Sequence, residues 1–101
     1  MITKTIVLEF ASPKIRAEDY LHEIIEAAKN AERNLYTHHG AVLHMPFERD
    51  KRVYIKVDIP DELADKFSPG RHMRGISKYL LRRHGDIFIK YLVGTRLLYY
   101  V

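Results

Sequence analysis

A chain of 101 residues is the size of one domain, and 47% hydrophobic with 30% charged residues supplies enough apolar matter for a core and too much for a disordered tail. Cysteine is absent, which excludes disulfides, thiolate metal sites and cysteine nucleophiles. The formal net charge of +4 is divided unevenly: residues 1–65 hold nine Lys or Arg against twelve Asp or Glu, net −3, and residues 66–101 hold eight against the single Asp86, net +7. Such asymmetry points to a polyanionic partner for the basic half, against the plainer reading of a solvated basic face.

The opening stretch MITKTIVLEF alternates, with Ile2, Ile6, Leu8 and Phe10 apolar, and reads as a strand with one buried face. Its charges, Lys4 and Glu9, make it unlike a signal peptide, and no apolar run reaches the length needed to span a bilayer; a soluble cytoplasmic protein with no membrane partner is expected. Glutamine is absent and asparagine occurs only at Asn30 and Asn34, a usage typical of thermophile proteins. Ser12-Pro13 offers an N-cap and a proline at the first helical position. The helix that follows, Ala17 to Tyr36, carries Leu21, Ile24, Ala28, Ala31 and Leu35 at three- and four-residue steps, with Glu23, Glu26, Lys29, Glu32 and Arg33 on the other faces.

His38-His39-Gly40 breaks that pattern. Two strands are predicted next, Ala41 to Phe47 and Arg52 to Ile59, joined by Glu48 to Lys51 as a hairpin, with Pro46 confining the first to an edge. In the second, Val53, Ile55, Val57 and Ile59 share one face. Asp61 to Phe67 reads as a short amphipathic helix with acids in its first turn, ended by Ser68-Pro69-Gly70. A second helix runs from Arg71 to His84 and stops at Gly85. Ile87 to Val93 and Arg96 to Val101 read as final strands, with Gly94 in their turn.

The helix RHMRGISKYLLRRHG holds five Arg or Lys and no acid. Met73, Ile76, Leu80 and His84 form one stripe, and Arg71, Arg74, Lys78 and Arg82 another. Aligned cations repel by a few tenths of a kcal/mol, about 0.2 to 0.5 per pair, unless a phosphate backbone turns the repulsion into attraction with release of counterions. Gly75 costs about 1 kcal/mol of helix propensity relative to alanine; its lack of a side chain suits the close approach of a nucleic acid or of a neighbouring helix. Arginine can also address guanine edges in the major groove.

Metal or catalytic chemistry finds little support. His38, His39 and His44 are the nearest cluster, but adjacent histidines point apart and no carboxylate sits at metal-ligand spacing beside them. No metal, cofactor or catalytic residue is expected, and Tyr79 reads as a core or interface residue.

In order, the segments DELADKF, ISKYLLRRHGDIF and GTRLLYYV resemble a winged helix-turn-helix domain, with the match running from Asp61 to Val101 and the helix 17–36 added to it. The resemblance implies an α+β winged helix-turn-helix with an extra N-terminal strand and hairpin, acting as a transcriptional regulator on double-stranded DNA. By position, Arg71, His72, Arg74, Lys78 and Arg82 would face the major groove, Ser77 and Arg83 would touch phosphates, and Lys90 and Arg96 would reach the backbone or minor groove from the wing. The turn at Ser68 to Met73 is about two residues longer than the commonest helix-turn-helix spacing, and the first strand and the 41–47 strand have no place in a minimal winged helix. Without the family in mind, the order β-α-β-β-α-α-β-β sits near a ferredoxin-like βαββαβ sandwich with one added strand, an architecture equally suited to an oligomeric protein-interaction or assembly module. The apolar tail LLYYV suits a buried strand or a pairing edge for a homodimer, and a symmetric dimer fits paired half-sites.

Overall fold

The computed structural model describes residues 3–66, 73–81, 84 and 86–98, with the side chains of Met73 and Arg74 outside the description. The chain is α+β, with an open antiparallel sheet and, among the described residues, four helices. The elements are β1 (Thr3–Phe10), α1 (Ala17–His39), β2 (Val42–Leu43), β3 (Phe47–Arg49), β4 (Arg52–Pro60), α2 (Asp61–Lys66), α3 (Met73–Leu81), α4 (Asp86–Tyr91) and β5 (Leu92–Leu98).

Alternation writes the centre of the sheet. Ile6, Leu8 and Phe10 on β1 and Val53, Ile55, Val57 and Ile59 on β4 are all buried, and the two strands pair antiparallel from Thr3 opposite Pro60 to Phe10 opposite Val53. Helix α1 lays Tyr20, Ile24, Ala28, Ala31 and Leu35 on this face, where the two alanines let the helix come close. Each fully buried Ile or Leu of this set contributes about 1.5 to 3 kcal/mol. The Tyr20 ring stacks on Tyr91 at 4.4 Å, and its hydroxyl donates to the Phe10 carbonyl at 3.2 Å. Burial pushes that phenol above its ordinary pKa.

The start of α1 differs from expectation. Ser12 is not its cap: the Ser12 hydroxyl accepts from the backbone N–H groups of Lys14 and Ile15, closing a turn of its own, and Arg16 occupies the N-cap with Glu18 and Asp19 in the first turn. The helix also runs past Tyr36 to His39. It ends where Gly40 adopts φ 66°, a left-handed conformation that lets its N–H reach Tyr36 O at 3.0 Å and the Ala41 N–H reach Leu35 O at 3.2 Å.

The predicted strand 41–47 is two short pieces, β2 and β3, separated around Pro46, and both lie along the outer edge of β4. Asp50 and Lys51 form the β3–β4 turn with φ 51° and 67°, the paired left-handed geometry that a two-residue hairpin requires. With β2 and β3 taken as one interrupted strand, the order is edge, β4, β1, β5, every pair antiparallel. The first and third strands are then central, as the βαββαβ alternative needs, and no added strand is present among the described residues.

Among the described residues the C-terminal wing is not formed. Of the strand predicted from Ile87 to Val93, residues 87–91 lie in helix α4 instead, because Phe88 and Tyr91 fall three residues apart on one helical face and both are buried. Gly94, predicted as the turn of the wing, lies inside the single strand β5, opposite Glu9. That strand pairs with β1 instead of folding back on a preceding partner. Ile76, Leu80, Leu81, Phe88 and Ala64 join the same core cluster as α1, so α1, α2, α3 and α4 all bury side chains against one face of the sheet. No described helix is long and apolar enough to cross a membrane.

Candidate nucleic-acid interface

The rotation of α3 is set by its buried residues. Ile76, Leu80 and Leu81 point into the core, and Ser77 is 0% exposed with its hydroxyl 2.8 Å from that of Thr95 on β5. Ser77 therefore is not placed to touch a phosphate, as the resemblance implied; it joins helix to strand beneath the surface. Lys78, one residue on, is exposed. Arg74 lies in α3 one turn before it, while Arg71, His72, Arg82 and Arg83 lie outside the described residues.

Other cations stand near α3. The Lys66 ammonium sits 5.1 Å from the Tyr79 ring, which meets the His39 ring edge-on at 5.0 Å. Lys90 is exposed on α4, its ammonium 5.2 Å from the Tyr91 ring. Among the described residues, none of Lys66, Lys78 and Lys90 has a carboxylate within 4 Å. Their charges are thus not cancelled by local ion pairs.

Arg96 is exposed, but it is not on this side. Thr95 turns its side chain to Ser77, and successive strand residues point to opposite faces, so Arg96 projects from the far face of the sheet. Lys90 and Arg96, predicted together on a wing, are separated in this way: the first rides a helix and the second faces away from it.

The register defines what Arg96 joins. Across β4, β1 and β5, one row reads Lys56, Val7, Arg96; the next on one side reads Tyr54, Glu9, Gly94; and the next on the other side reads Asp58, Thr5, Leu98. β3 adds Phe47 beside Tyr54, and β2 adds Val42 beside Asp58. The Phe47 and Tyr54 rings stack at 5.7 Å, and the Lys56 ammonium lies 6.0 Å from the Phe47 ring.

Both acids on this far face are engaged. Glu9 accepts from the Arg52 guanidinium, and this bond raises the Arg52 pKa. Asp58 accepts from the Thr5 hydroxyl at 2.5 Å and lies 2.7 Å from His44 Nε2. Burial alone would raise the Asp58 carboxyl, but the bonds from Thr5 and His44 outweigh it and hold the group below the ordinary carboxylate value. Lys56 and Arg96 are exposed and, among the described residues, have no carboxylate within 4 Å.

Lys56, Phe47 and Tyr54 were not singled out from sequence, although the signal was there. Inward Val53, Ile55 and Val57 require outward Tyr54 and Lys56, and a two-residue turn at 50–51 sets Phe47 opposite Tyr54. No family model, curated protein or solved structure matches the chain.

Proposed function

We propose that the protein is a small DNA-binding protein of regulatory type that holds duplex DNA through the basic segment carrying α3, without cofactor or catalysis. The observation that carries this reading is the exposed Lys78 on a helix whose opposite side is locked into the core, within a segment of net charge +7. A helix so anchored can present cations to a phosphate backbone at little further ordering cost. In this reading α3 serves as the helix offered to the duplex, as the helix-turn-helix resemblance implies, and the wing has no part. Arg71, His72, Arg74, Arg82 and Arg83 extend the same segment, and Lys66 and Lys90 add charge beside it. Ser77 drops out of the contact set.

A homodimer is part of the same proposal. Among the described residues β5 pairs with β1 alone, and pairing of two copies along its open edge would relate two α3 helices by a two-fold axis, as paired half-sites require.

Binding to a random-sequence duplex, titrated at several salt concentrations, tests the reading. The logarithm of affinity should fall linearly with the logarithm of salt concentration, and Lys78→Ala and Arg74→Ala should each make the slope shallower by about 1. Glu23→Ala, on the outer side of α1, should leave it unchanged. A flat salt dependence, or equal losses from all three substitutions, contradicts the proposal.

A further inference from the structure

The far face of the sheet carries a second argument, which goes beyond the duplex reading and does not depend on α3. Every described helix packs on the other side, so no described helix covers the grid of Lys56, Val7 and Arg96 with its flanking rows, although Val7 and Thr5 in its middle strand are themselves buried. Its charge is unbalanced. Arg49, Arg52, Lys56 and Arg96 stand on the sheet positions that share this face; Arg49 pairs with Asp50 of the adjoining turn and Arg52 with Glu9, and Asp58 is held by Thr5 and His44, which leaves Lys56 and Arg96, on either side of Val7, without a carboxylate within 4 Å among the described residues. A second copy laid face to face would bring cations against cations around the central row. An anionic occupant is the one whose charge complements the face.

Shape and aromatic content narrow that occupant further. A sheet surface offers no protruding helix or ribbon to enter a groove, so a duplex would meet it only through phosphates and leave the aromatic rings idle. Phe47, 38% exposed, and Tyr54 beside it form instead a stacking platform at one end of the grid, with Lys56 at its side. Unpaired bases stack on such rings whatever their identity, while Lys56 and Arg96, on either side of β1, each neutralise a backbone phosphate. We propose that this face, through Phe47, Tyr54, Lys56 and Arg96, binds single-stranded nucleic acid.

The experiment uses the full chain and fluorescently labelled 15-nucleotide single strands of mixed sequence, one RNA and one DNA, with a hairpin duplex alongside. Far-UV circular dichroism checks that each variant is folded. Phe47→Ala should weaken single-strand binding about tenfold with little change in its salt slope, and Phe47→Tyr should restore it. Lys56→Ala combined with Arg96→Ala should weaken it at least tenfold and make the slope shallower by about 1.4, the value for two contacts to a single strand. A stronger effect in the RNA arm or in the DNA arm tells which strand the face prefers, and either result supports the proposal. Lys78→Ala should leave single-strand binding intact, so loss of duplex binding alone counts against the α3 reading and not against this one. Wild-type single-strand affinity in the folded sheet-face variants would overturn the proposal. So would light scattering showing a dimer that Phe47→Ala dissociates, since the face would then belong to a second copy.

Discussion

The two faces of one sheet differ in everything but their backbone. On the covered side, Val53, Ile55, Val57 and Ile59 meet α1 and the later helices and are at most 1% exposed. On the other side, Tyr54, Lys56 and Asp58 alternate with them on the same strand and take a ring stack, a cation with no carboxylate within 4 Å among the described residues, and a hydrogen-bonded acid. The same alternation divides β5, where Thr95 serves the interior and Arg96 the solvent. Neighbours in sequence thus face opposite ways, one into the core and the other, in the reading proposed above, toward an anion.

Truncating both members of one adjacent pair separates the two faces by the largest margin. Ile55→Ala should cost about 2 to 5 kcal/mol of stability, measured by urea unfolding, because it removes buried methyl groups and leaves a cavity between sheet and α1. Lys56→Ala, one residue on, should change stability by no more than about 0.5 kcal/mol. Comparable losses at the two positions would mean that the far face is also packed. A smaller effect sharpens the same distinction on α3. Ser77→Ala should cost about 1 to 3 kcal/mol by leaving the Thr95 hydroxyl without this partner, and should leave the salt slope of duplex binding unaltered. A shallower slope would return Ser77 to the phosphate contacts.

Much of the frame is legible in the sequence where one period dominates. The alternation of Val53 to Ile59 and the three- and four-residue stripe of α1 each have a single reading, and the structure follows both. The end of the chain does not. Ile87, Phe88, Ile89, Tyr91, Leu92 and Val93 are apolar at nearly every position, so neither period stands out, and burial of Phe88 and Tyr91 against Phe10 and Tyr20 decides in favour of a helix. Gly94 looked like a turn because glycine usually punctuates; here it sits in a strand opposite Glu9, where a Cβ would lie 3.5 Å from the carboxylate. Ser77 was misplaced for a different reason. The helix-turn-helix resemblance set it against a phosphate by position alone, and only the approach of Thr95 from β5 reveals that its hydroxyl has a partner inside. The candidate site was legible in its charges but not in its grouping, because which face a cation occupies follows from strand register.

Amide chemical-shift mapping separates the two proposed surfaces within a single molecule. The single-stranded 15-mer should perturb the amides of Tyr54, Lys56, Val7 and Arg96, and the duplex those around Lys78, with the outer positions Glu23 and Glu26 of α1 unmoved by either. Shifts centred on α1, or no saturable shifts with either ligand, would contradict both proposals.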